Sequence, residues 1–174
     1  GTQAVRIERA ADTDPRDVQP REVEDHRHVV PHSVRREELP LYVAGPMTGI
    51  KAFNYPAFDS AAADLRSRGL LVVSPSEMDE PEVIAAVHAS PDGDPRALER
   101  ITGLSYTHYL TRNVKVVAEQ VSGLVLLPGW QKSKGTRTEL FIASLVGIPS
   151  YLYPGLERVE VEFELRHTRI EGSL

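Results

Sequence analysis

The chain carries 174 residues, of which 41% are apolar, 26% charged and 6% aromatic, with a formal net charge of -5. That length accommodates an α/β domain with an extension, and the acidic balance argues against a nucleic-acid polymer as partner, which would need a basic face. The absence of cysteine excludes disulfides, thiol catalysis and cysteine-based metal sites. No apolar run approaches the ~20 residues of a membrane span, and no signal peptide is visible, so a cytoplasmic setting without a membrane partner is expected.

Residues 1–40 hold 7 Arg and 9 Asp/Glu with little periodicity, so they read as a charged N-terminal arm or linker. Only residues 4–8 alternate as a short strand would. His26, His28 and His32 share no helix or strand that would aim them at one ion, and no metal is expected there.

The register changes at Leu41. A β-type run, residues 41–44, ends at Gly45-Pro46 and Thr48-Gly49, which predicts a first buried strand closed by a tight turn. Gly45 and Gly49 permit positive φ and a close ligand approach. Asn54 as a cap and Pro56 in the first turn then start a helix. Its Phe58, Ala61, Ala62 and Leu65 share one face, and Gly69 ends it. Residues 70–73 predict a second buried strand, stopped by Ser74-Pro75. Residues 41–73 thus form a βαβ unit with an expected right-handed crossover.

Residues 74–103 are polar and interrupted by Pro75, Pro81, Pro91 and Pro95. A short helix is expected over 80–89 and a turn-rich loop over 88–95. A loop this long suits a lid or pocket wall, and its Glu77, Asp79 and Glu80 follow the second strand at the ligand-binding edge. The next helix is predicted over 105–121. Leu110, Val114, Val117 and Val121 form its apolar face, while Tyr106, Tyr109 and Asn113 follow a second line that can face a cleft. Residues 123–127 predict a third strand, 136–146 a helix and 151–153 a fourth strand. Residues 159–165 alternate strictly, as a half-exposed strand does. Its expected partner is Val5/Ile7 or the same strand of a second subunit.

Three loops therefore converge at one sheet edge: 45–49, the region after Ser74, and 128–139. The last runs from a buried strand through Pro128-Gly129 to a helix start bearing Ser133, Gly135, Thr136 and Glu139. Free N–H groups at a helix start favour an anion such as phosphate. No P-loop, dinucleotide fingerprint or nucleophile elbow is present. What remains is a phosphate-tolerant pocket with one well-placed carboxylate. A carboxylate there can attack a sugar anomeric carbon and form a glycosyl intermediate, which water or another acceptor resolves.

Three stretches carry a family resemblance: Tyr42-Val43-Ala44-Gly45-Pro46-Met47-Thr48-Gly49, Asn54-Tyr55-Pro56-Ala57-Phe58, and Leu127-Pro128-Gly129-Trp130 through Gly135-Thr136-Arg137-Thr138-Glu139. Together they resemble the nucleoside 2-deoxyribosyltransferase superfamily, most of all its small phage and bacterial branch, related to the nucleoside 5′-monophosphate N-glycosidases. The likeness covers roughly two-thirds of the chain, residues 41–153. It implies a flavodoxin-like or Rossmann-like three-layer α/β sandwich with a mainly parallel sheet, a homo-oligomer, and N-glycosidic bond chemistry without a cofactor. Between the charged arm or linker over 1–40 and a C-terminal strand extension over 156–174, the resemblance implies an N-glycosidase-like domain over 41–155.

Carried over by residue, the resemblance makes Glu139 the nucleophile and Tyr42 its positioner. Gly45, Pro46, Met47 and Gly49 become sugar and phosphate contacts, and Ser133, with Gly135 and Thr136 beside it, the phosphate seat. The superfamily's proton-donating Asp falls on Asn113, which can hydrogen-bond a base but cannot protonate it. His108, Tyr109 or an acid of the 77–80 loop are the alternatives for that step. A weaker likeness, through Leu-Pro-Gly…Gly-Thr-x-x-Glu, is to the lysine-decarboxylase-like phosphoribohydrolases. The expected function is hydrolysis of the N-glycosidic bond of a (deoxy)nucleoside 5′-monophosphate through a glycosyl–Glu intermediate. The alternatives are base exchange and a nucleotide-binding module that has lost catalysis. A structural interaction protein built on the alternating C-terminal segment has less support, because it leaves the glycine loops unexplained.

Overall fold

In the computed structural model, residues 35–161 and residue 163 are described, within the unit Val34–Leu174. The possible strand at 4–8 and His26, His28 and His32 lie outside the described residues. A five-stranded sheet of order β2-β1-β3-β4-β5 forms the centre. Its strands are β1 (Leu41–Ala44), β2 (Val72–Val73), β3 (Gly123–Leu126), β4 (Ser150–Leu152) and β5 (Glu157–Val159). The first four run parallel, and β5 is antiparallel to β4. This is the Rossmann/flavodoxin-like α/β arrangement that the resemblance implies, and it contains the βαβ unit expected over 41–73.

Side chains alternate between the two faces of the central strands, as a period of two demands. Val43 and Val125 pack with Phe58, Ala61 and Leu65 of α1 (Tyr55–Ser67). Tyr42, Ala44, Leu124 and Leu126 pack on the other face. There they meet Val116 and Val117 of α4 (Tyr106–Glu119) and Leu140 and Ala143 of α5 (Lys134–Leu145). Helices on both faces explain why β3 is buried along its whole length.

Four expectations change. The second strand is only two residues long and half-buried, because it lies at the sheet edge with β1 as its one neighbour among the described residues. Asn54 does not cap α1. Ala52, Phe53 and Asn54 form a left-handed turn with φ of 51°, 48° and 60°, and the Asn54 amide donates to the Pro46 carbonyl at 2.9 Å. The strand expected over 159–165 ends at Val159, having begun at Glu157, and its partner is β4. Val161 and Phe163 still pack on the α4–α5 side of the core, Phe163 edge-on against Phe141. Finally, the loop after α2 (Pro81–Ala89) contains a further helix, α3 (Pro95–Thr102). Its signals were present in Asp94, whose carboxylate accepts from the Arg96 N–H, in Pro95, and in the left-handed Gly103 that ends it.

α2 and α3 are stitched to the first loop. Gly49 N–H donates to the Gly93 carbonyl at 3.1 Å and Ala52 N–H to the Ser90 carbonyl at 2.9 Å. A Cβ on Gly93 would collide with the Ile50 carbonyl oxygen, and its φ of 67° is itself unfavourable for other residues. Gly93→Ala is therefore expected to cost about 2 kcal/mol, read as a lower urea midpoint with an unchanged slope.

Candidate active site

Parallel strands leave a crevice outside their carboxyl ends where the strand order reverses. Here β1 and β3 adjoin, while the chain crosses to β2 on one side and β4 on the other. The loops after β1 and β3 thus face each other across that point. They line a cleft of about 890 Å³, a size that encloses a small organic ligand. The remaining wall comes from Pro75 after β2, from Val87 and Leu98 of the two inserted helices, and from Tyr106, Tyr109, Leu110, Arg112 and Asn113 of α4.

Glu139 lies one turn inside α5, 5% exposed, and lines the cleft. The fully buried Tyr42 of β1 donates its hydroxyl to Glu139 Oε1 at 3.0 Å. The two residues are far apart in sequence and meet because β1 and β3 pair in register, with α5 following β3. Burial pushes the Glu139 carboxyl up to about 7, while the Tyr42 hydroxyl and the Asn113 amide pull it down. The Tyr42 phenol is raised well above its ordinary value, first by burial and then by the neighbouring Glu139 charge, so it remains a donor.

The start of α5 has the features of an anion seat. Ser133 caps the helix, its hydroxyl accepting from Thr136 N–H at 3.2 Å. Thr136 is 1% exposed, lines the cleft, and its hydroxyl has no hydrogen-bond partner among the described residues. A buried orphan hydroxyl at a helix N-terminus is what a bound oxyanion would satisfy. Lys132 and Lys134 line the same end, whereas Arg137 does not reach the cleft. Gly135 faces the Tyr106 hydroxyl.

Gly45, Pro46, Met47, Asn113, Ser133, Gly135, Thr136 and Glu139 all line the cleft. Tyr42 stands behind Glu139, and Gly49 ties the first loop to the inserted helices. Gly45 is not a positive-φ residue. It is glycine because a Cβ would sit 2.8 Å from Leu127 Cβ, so it sets how closely the loop after β1 packs on β3.

Of the acids after the second strand, only Asp79 turns inward. Glu77 pairs on the outside with Arg66 at 2.6 Å, and Glu80 is exposed. The Asp79 side chain is 3% exposed. It accepts from the Tyr55 hydroxyl at 2.8 Å and forms an ion pair with Arg112. Arg112 Nε donates to Asn113 Oδ1 at 3.3 Å, and its guanidinium lies 5.4 Å from the Tyr109 ring centroid. His108 is exposed and outside the cleft lining. The sequence reading did not single out Arg112 or Tyr55. One signal was there: Tyr109 and Arg112 are three apart on a helix and so share a face.

No helix among the described residues is long and apolar enough to cross a membrane. Neither the curated proteins nor the solved structures compared with the chain give a match. Residues 39–151, which contain β1, the inserted helices and the α5 site, match one family throughout, and the chain belongs to that family, described as Domain of unknown function (DUF4406).

Proposed function

We propose that the chain hydrolyses the N-glycosidic bond of a (deoxy)nucleoside 5′-monophosphate through a covalent glycosyl–Glu139 intermediate. The observation that carries this reading is a buried carboxylate gripped by the Tyr42 hydroxyl at 3.0 Å, facing a cleft whose other end is the open start of α5. The family's description names no activity, so the support is chemical. Ionised Glu139 attacks C1′, the base leaves with the electron pair of the broken bond, and water opens the resulting ester. Ser133, Thr136 and the free N–H groups beside them hold the phosphate. The likeness to an oligomeric superfamily adds a homo-oligomer to the proposal. Light scattering that shows a monomer at high concentration would remove that part.

Asn113 favours a second reading, a module that binds nucleotide without turnover, since an amide cannot protonate the departing base. The two separate when wild type and Glu139→Ala are incubated with a panel of nucleoside 5′-monophosphates and free base is measured by chromatography. Base from wild type only supports the hydrolase. Tight binding with no base from either protein sinks it. A new nucleoside on adding a second base would instead identify base exchange.

The pH profile gives an independent check. Attack requires ionised Glu139, so kcat/KM is expected to rise with pH through a midpoint near 7. Tyr42→Phe removes a hydrogen bond that holds this value down, so it should move the midpoint upward as well as slow the reaction at pH 7.

A further inference from the structure

Arg112 lines the cleft from α4, beside Asn113. Its neighbours there are Tyr109, which packs with Phe53, Tyr55, Val87 and Leu98, an apolar and aromatic surface suited to a flat ring. The guanidinium is held from three sides. Nε donates to Asn113 Oδ1, and Nη1 donates to the Met78 carbonyl at 3.3 Å and to the buried Asp79 carboxylate. The other amino group, Nη2, has no hydrogen-bond partner among the described residues. Asp79 offsets the charge, so this part of the cleft suits neutral or weakly charged acceptors better than a phosphate. The Tyr109 hydroxyl is also buried without a hydrogen-bond partner among the described residues.

Among the described residues, the cleft lining contains one carboxylate, Glu139, and no imidazole. Charge that develops on the ring of a departing base is stabilised by donors placed at its acceptor atoms. A guanidinium has donors only. It matches the carbonyl oxygens of an oxo base, as it does the O6/N7 edge of guanine, and it opposes the N–H donors of an amino base.

We propose that Arg112 reads the leaving base, so that the substrates are nucleotides of oxo bases, 2,4-dioxopyrimidines or 6-oxopurines, and not of their amino counterparts. This deepens the function proposed above and rests on it. The C1′–N bond breaks with its electron pair passing to the base nitrogen, and a bond forms between the Glu139 carboxylate and C1′. The base departs as an anion whose carbonyl oxygens face Arg112. The water that opens the ester supplies the hydroxyl to C1′ and the proton that the base finally takes.

The test compares matched pairs that differ only by amino and oxo groups: deoxycytidine against deoxyuridine 5′-monophosphate, and the adenine against the hypoxanthine nucleotide. In wild type, kcat/KM for the oxo member is expected to exceed that for the amino member by at least about 100-fold. Arg112→Gln, whose amide can both donate and accept, should bring that ratio toward one, and Arg112→Lys should keep part of it. If Arg112→Gln does not fold, the wild-type ratio decides alone. Equal release of amino and oxo bases by wild type overturns the inference and leaves the hydrolase reading standing. A uniform rise in KM for all nucleotides in Arg112→Gln, with the ratio unchanged, overturns it in favour of phosphate binding. Release of no base from any nucleotide overturns the hydrolase reading itself.

Discussion

Glu139→Gln is expected to abolish base release and, at pH 8, to make the fold more stable than wild type. The activity loss follows from removing the proposed nucleophile and should reach at least about a thousandfold in kcat. The stability gain follows from burial. The carboxyl has an ordinary value of 4.5 and rises to about 7 in the folded chain. A group raised in this way contributes fully below the unfolded value, and its contribution is lost as pH rises through the folded one. At about 1.4 kcal/mol per pH unit, wild type gives up about 3 kcal/mol by pH 8 that the neutral Gln variant retains. Tyr42 still has an amide oxygen to donate to. Urea titrations of both proteins at pH 8 and at pH 4.5 check this: the gap should be present at the first and closed at the second. A variant less stable than wild type at pH 8 would show that Glu139 is not held at a cost, and the case for a strained catalytic carboxylate would fail with it.

Asp79→Ala is expected to destabilise the fold by about 3 kcal/mol, the lower end of what breaking a buried ion pair costs. The 3% exposed carboxylate receives both the Tyr55 hydroxyl and Arg112. Its removal leaves a partly buried guanidinium without a counter-charge and a phenol without an acceptor. Burial, and then the Asp79 charge, raise the Tyr55 phenol, so it keeps its proton and cannot compensate. Asp79→Leu combined with Arg112→Met should recover most of the loss, because an apolar pair of similar volume carries no buried charge. Equilibrium unfolding of the single and double variants reads the difference. A single variant within about 0.5 kcal/mol of wild type would mean that the pair is solvated.

Phe58, Ala61, Ala62 and Leu65 lie under the sheet as their spacing predicts, because an apolar stripe at helical period has to face a core. Glu139 was readable as an acid near the start of a helix that follows a buried strand. α3 is masked in the sequence because Pro91 and Pro95 read as breakers, although Pro95 stands in the first turn, where proline is tolerated. Asn54 was misassigned because a residue type that often caps helices also adopts the left-handed conformation readily. Its amide reaches Pro46 only after the loop has folded back.

Local periodicity determined the order of strands and helices and the two glycine-bearing loops, because burial imposes those patterns on neighbouring residues whatever the rest of the chain does. The partners in the candidate site are not neighbours. Tyr42 reaches Glu139 through the β1–β3 register, and Asp79 turns inward while Glu77 turns out because of how the chain leaves the edge strand. Arg112 meets the Met78 carbonyl and Asp79 only where α4 crosses that loop. Such contacts depend on strand order, register and the approach of separate elements, which the tertiary structure alone decided.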